Sequence, residues 1–170
     1  GLGDETVNVN DTTVNAADLN YINGSTTGKI TLSATSPVVA GLAADVKTLL
    51  TADALNNTQL AGVTAAAITI TDTGAVSAAD LKAIEANAAT GFITVGSNAT
   101  SLTGTRADIA TILAKDDVAT QTALGGGAVV TISGTTPLDL TVTDANISAA
   151  QQAALTGLSS GKITATISNT

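Results

Sequence analysis

The sequence has no Cys, His, Met or Trp, and one Tyr and one Phe among its 170 residues. Each absence excludes a class of chemistry. Without Cys there is no disulfide framework and no thiolate zinc site, although the compartment stays open because many secreted bacterial proteins also lack Cys. Without His or Cys no Ser has an evident base partner, which removes the usual nucleophilic constellations. Paired carboxylates could in principle serve a glycosidase. Asp116-Asp117 reads instead as a solvated helix start, and Tyr21 and Phe92 are the only aromatics a sugar cleft could use. The six Lys and Arg are scattered against fourteen acids, giving a net charge of −8 and a pI near 4.1. That balance argues against nucleic acid and anionic membranes as partners. No apolar run approaches the roughly 18 residues of a membrane span. No signal peptide is visible, and the chain starts at Gly1 rather than Met, as expected of a processed product or an excerpt of something longer. The expectation is a protein that is not an enzyme, with no catalytic residue.

What is present is aliphatic and small. Hydrophobic residues make up 44%, nearly all Ala, Val, Ile and Leu, with Thr, Ser, Asn and Gly between them. A core of such side chains needs closely approaching layers, which stacked repeats supply. Three related stretches bear this out at the level of sequence: 7–19, 68–86 and 140–151. Each reads as a short strand, a turn, a capped helix start and an amphipathic helix. Asp11 and Asp72 are 61 positions apart, and Asp72 and Asp144 are 72 apart. A period this long holds two supersecondary units. The boundaries are repeat one about 7–67, repeat two about 68–139 and a partial repeat three about 140–170, within a single repeat domain covering 1–170.

After each first helix comes a Gly-led strand, at 27–32, 90–95 and 160–165, whose alternating Ile/Thr pattern suits one buried face. The Gly reads as a helix stop or turn. A second helix is expected at 42–50 and 105–113, followed by a short helical turn at 53–60 and 117–124. Leu124 to Asp144 spans 20 residues against 12 for Leu60 to Asp72, and the extra eight fall within 125–137, where Val129 to Ser133 reads as a strand that extends a sheet edge or forms a hairpin. Gly125-Gly-Gly127 lacks the Lys-Ser/Thr of a phosphate loop and reads as a flexible turn. The chain is expected to open and close with strands, the last at 162–168.

The helix starts follow capping rules. Ser77 with Asp80 forms a capping-box pattern, flanked by a Val76–Leu81 hydrophobic staple. Asn15 with Asp18, between Val14 and Leu19, repeats it. The third copy keeps Ile147, Ser148 and Gln151 but has Gln152 where Leu is expected, so its first turn should be less well anchored. Strand–helix–strand succession gives parallel pairing with crossover helices. The fold class expected is α/β, a repetitive solenoid of strand–helix units with parallel strands.

The runs 148–155, 159–168 and 102–109, built of Ala, Thr, Ser and Gly, resemble repeats of very large secreted bacterial proteins of the haemolysin-type or RTX-like kind, common in cyanobacteria. The resemblance covers about 7–170 and implies an extended surface or extracellular structure. Gly1-Leu-Gly-Asp-Glu-Thr-Val7 is similar to part of the RTX calcium nonapeptide, with Glu5 in place of Asp.

Calcium candidates are therefore Asp4 and Glu5, together with Asp11, Asp72 and Asp144, which follow equivalent strands and would line up along a solenoid edge. The competing reading of the last three is an Asx-turn that bonds its own backbone, preferred because no second carboxylate recurs beside each. Thr69, Thr71, Thr141 and Thr143 could form a flat threonine face of the ice-binding kind, but Asn8 and Asn10 interrupt it and exposed strands favour Thr anyway. Asn-x-Ser/Thr sequons arise by chance in such a chain and are assigned no role. The sequence thus points to a structural module of an extracellular or cell-surface protein (adhesin, surface layer or filament), self-associating or meeting neighbouring repeats through its terminal strands. The alternative is a calcium-, glycan- or ice-binding module. No cofactor other than calcium is implied, and neither membrane insertion nor a nucleic-acid partner.

Overall fold

The computed structural model describes residues 1–35, 37–55, 59–88, 92–115, 129–132 and 138–168. The chain is α/β, and every strand pairing among the described residues is parallel. The first pass along the chain is β1 (Val7–Val9), β2 (Thr13–Asn15) and helix α1 (Ala16–Ser25). The second is β3 (Ile30–Leu32), β4 (Val38–Gly41) and α2 (Ala43–Leu55). The third has three strands before its helix: β5 (Leu60–Ala61), β6 (Ala67–Ile70), β7 (Gly74–Ser77) and α3 (Ala78–Asn87). The fourth returns to two, β8 (Phe92–Val95) and β9 (Ala99–Gly104), before α4 (Arg106–Lys115). The fifth again has three among the described residues, β10 (Val129–Ile132), β11 (Asp139–Val142) and β12 (Ile147–Ser148), then α5 (Ala149–Leu158). Strands β13 (Ile163–Thr164) and β14 (Ile167–Ser168) follow.

Alternation of two- and three-strand passes moves the helix along the sheets. The strand orders are β1-β3-β5, β10-β8-β6-β4-β2, β13-β11-β9-β7 and β12-β14. Strand β3 pairs with β1 on one side and β5 on the other, while β6, next in the chain, joins the column of β4. Equivalent strands of successive repeats, β1, β6 and β11, therefore fall in three different sheets. The expectation that equivalent residues line up along one edge is corrected: the extra strands β5 and β10 displace each repeat sideways by one column. The described part of the insertion, β10, pairs in parallel with β8 and extends that sheet.

The core follows from the alternation. Val14, Val39, Ile68 and Ile93 stand opposite one another on successive strands, as do Val76, Leu102, Leu140 and Ile163. All but the half-buried Ile163 are buried. Leu19, Leu49, Leu50, Leu81, Ile84, Ile109, Ile112 and Leu155 reach them from the helices. Each fully buried side chain of this size contributes about 1.5–3 kcal/mol relative to exposure. The helices lie side by side in chain order, each against the next. Two glycines let a strand end approach the helix start of the preceding pass: a Cβ at Gly41 would lie 2.9 Å from the Ala16 Cβ, and one at Gly104 would lie 2.9 Å from the Ala78 Cβ.

Local chemistry departs from expectation in three places. Helices α1 and α5 end at Thr26 and Ser159 in extended conformation, and their hydroxyls accept from the amides of Gly28 (2.9 Å) and Gly161 (3.1 Å). Gly28 and Gly161 are thus not helix stops with positive φ. They are needed because a Cβ there would lie 2.1 Å from the Glu5 carbonyl oxygen and 2.0 Å from that of Leu138. The expected closing strand at 162–168 is two short strands, β13 and β14, in different sheets. Residues 53–55 belong to α2, and the expected helical turn gives way to strand β5 at Leu60–Ala61. The expected turn at 117–124, the helix start at Asp116-Asp117 and the Gly125–Gly127 loop lie outside the described residues.

Candidate functional site: the joints between repeats

The helix caps divide into local and distant ones. Asn15 accepts from the Ala17 amide at 2.8 Å, and Ser77 from the Asp80 amide at 3.2 Å. Ser148 and Gln151 close a complete capping box, at 3.2 and 2.8 Å. The third copy, expected to be the less well anchored, therefore has the fullest hydrogen-bonded cap. Only Leu155 of its helix is buried, whereas α3 buries Ala78, Leu81 and Ile84. Asp80 does not complete a capping box. Its carboxylate pairs at 2.5 Å with Lys47 on α2.

The distant caps come from the carboxylates singled out in the sequence. Asp72, two residues past β6, accepts from the Ala43 amide at 2.7 Å, at the start of α2. Asp144, two residues past β11, accepts from the Arg106 amide at 2.5 Å, at the start of α4. Both Asp are half-buried. Each reaches back into the preceding repeat, so neither is the self-bonded turn the sequence suggested. The helix N-terminus supplies unpaired N–H groups and a partial positive charge, which is what a carboxylate satisfies. Asp11, the equivalent in repeat one, is exposed.

Side-chain contacts continue along the helix row. The Asn20 amide group donates to the Asp45 carbonyl at 2.9 Å. Lys82 pairs with Asp108 at 2.7 Å, and the Thr105 hydroxyl donates to the same carboxylate at 2.8 Å. The Lys82 and Thr105 hydrogen bonds hold the Asp108 carboxyl below the usual range. Asp53, inside α2, is buried, and its Oδ1 has no hydrogen-bond partner among the described residues. Burial pushes its pKa up.

The remaining candidates do not converge. Asp4 and Glu5 are exposed; their segment is held by backbone, the Thr26 hydroxyl donating to the Gly3 and Glu5 carbonyls at 3.0 Å each. Among the described residues no three metal-capable side chains come together. Thr69 stands opposite Thr94, and Thr141 stands between Thr103 and Thr164, in a different sheet from Thr69. Thr71 and Thr143 lie beyond their strand ends, so the four do not form one face. Two shallow depressions sit on the outer helices of the row. One, of about 360 Å³, is lined by Gly1, Leu2, Tyr21, Ile22 and Ser25 at α1. The other, about 490 Å³, is lined by Ala149, Gln152, Ala153, Thr156 and Gly157 on α5. No helix among the described residues is long and apolar enough to cross a membrane. No family model, curated protein or solved structure matches this chain.

The distant caps were missed in the sequence because acceptor and amide are 29 and 38 residues apart. One signal was present. The residue ahead of α2 is Leu42, whose side chain offers no acceptor, so the first amides of α2 are open to one from elsewhere.

Proposed function

We propose that the chain is a strand–helix solenoid acting as a non-enzymatic structural module of an extracellular or cell-surface protein, of the kind its RTX-like resemblance implies. The observation that carries the reading is the joint made twice with the same parts. At each repeat boundary the first strand of the new repeat pairs with the last strand column of the old one, and an Asp just past that strand caps the old helix. A joint that recurs with the same parts serves to extend a structure. In such proteins each unit buries its apolar face against a neighbour, so the ends are where association occurs. Light scattering over a concentration series, with negative-stain microscopy, tests this. The expected result is elongated particles that associate as concentration rises; a compact monomer at every concentration contradicts it. Because one oxygen each of Asp72 and Asp144 is already engaged by a helix, added calcium is expected to give no heat in calorimetry and no shift in melting temperature. A clear calcium response would favour the binding-module reading instead.

A further inference from the structure

The N-terminal end of the helix row displays one half of the repeat joint, and its other half can be read from inside the molecule. Aligning α1 with α3 through their caps places Asp18 where Asp80 stands, Tyr21 where Ala83 stands and Ser25 where Asn87 stands. Asp80 faces back toward α2, since it pairs with Lys47. One turn further on, Ala83 and Asn87 share that side of α3. The same side of α1 therefore holds Asp18, Tyr21 and Ser25, and among the described residues the helix packed against α1 is α2, on its other side.

Two features of this end match parts used elsewhere, and a third adds apolar surface. Asp11 and Asp18 are both exposed, whereas their equivalents Asp72 and Asp80 bind the start and the fifth residue of a preceding helix. Strand β1 is an edge strand. The amides that β6 gives to the carbonyls of Pro37 and Gly41 come from Ala67 and Thr71, whose equivalents, Thr6 and Asn10, lie on that free edge of β1. Tyr21, 78% exposed, and Leu2, 46% exposed, add apolar surface around the 360 Å³ depression. Charge, hydrogen-bonding edge and apolar patch all belong to one face.

We propose that this face is a socket for a coil of the β4–α2 type from another repeat of the same kind: a parallel strand laid along β1, and a helix whose first amide meets Asp11 and whose fifth-position lysine meets Asp18. The inference rests on the repeat reading above but does not require that the free chain associate. Isolated carboxylates at this end would have no reason to recur at the spacing of a helix start and its second turn. The recurrence of the Asp11 type at both internal joints supplies that reason.

The test extends the intact chain by a second copy of residues 1–61 placed directly before Gly1. This keeps the 61-residue phase between Asp11 and Asp72. The added copy should fold as one cooperative unit with the rest. Asp11→Ala in the original chain should lower the melting temperature of the extended protein by roughly 2–4 °C, the shift expected for loss of one cap, and leave that of the unextended chain unchanged. Asp18→Ala should show the same selectivity with a smaller shift. The proposal is overturned if proteolysis trims the added copy back to Gly1 while the chain stays intact, or if Asp11→Ala shifts both proteins equally. It is also overturned if the added copy docks only after Tyr21→Ala, since the ring would then be a stop. A monomeric free chain would count against self-association without touching any of these outcomes.

Discussion

Helices α2 and α4 hold the same place in successive repeats and receive the same kind of distant carboxylate, but they begin differently. Leu42 precedes α2 and leaves its first turn to Asp72. Thr105 precedes α4, and its hydroxyl accepts from the Asp108 amide at 3.2 Å while Asp144 takes the Arg106 amide. One helix start depends wholly on the next repeat; the other is doubly held. The charged contacts differ as well. Lys47 ties α2 forward to Asp80 in the next repeat, whereas the equivalent of Asp80 in repeat three is Gln151, which turns inward to its own capping box. The carboxylate cap is thus the part of the joint found at both boundaries, and the ion pair is replaceable.

The largest expected effect should ignore this difference. Gly41 and Gly104 allow equally close approach to Ala16 and Ala78, so Gly41→Val and Gly104→Val should each cost about 1–3 kcal/mol through overpacking. Chemical denaturation checks this, and two clearly unequal values would mean the joints are not sterically alike. Next come the caps. Asp72→Ala should cost about 1–2 kcal/mol, and Asp144→Ala less, about 0.5–1, because Thr105 remains. Thr105→Ala should raise the cost of Asp144→Ala to match that of Asp72→Ala, whereas Leu42→Ser should lower that of Asp72→Ala.

The smallest effects are in pH dependence. Asp108 has a depressed folded pKa, so its contribution to stability is present above the ordinary carboxylate value and lost as pH falls through the folded one. Asp53 has a raised folded pKa, so its contribution is present below the ordinary value and lost as pH rises through the folded one. Thermal melts across acidic pH should show Asp108→Asn flattening the loss toward low pH. Asp53→Asn should remove the decline above the ordinary carboxylate value.

Much of this was legible in local pattern. The Ile-Thr alternation located β3, β6, β8 and β11, and Ser77, Asn15 and Ser148 marked three helix starts, because both signals act over a few residues. Strands β2, β7 and β12 were hidden, being two to four residues long and merged with the caps that follow them. The sideways step was hidden too. It depends on β5, a two-residue strand whose only sequence trace is Leu60-Ala61. Asp72 and Asp144 were recognised as equivalent and given a local role, since a turn acceptor and a distant helix cap call for the same residue type. Parallel pairing was deduced from element order and needed no contact information.

The central claim is that the Asp after each repeat's first strand holds the preceding helix start. Amide hydrogen exchange at Ala43, followed by NMR in the wild type and in Asp72→Ala, tests it most directly. First-turn amides ordinarily lack an intrahelical acceptor and exchange readily. The account predicts that Ala43 is protected in the wild type and loses that protection in Asp72→Ala, with Arg106 unaffected. Fast exchange of Ala43 in the wild type, or protection that survives Asp72→Ala, would contradict it.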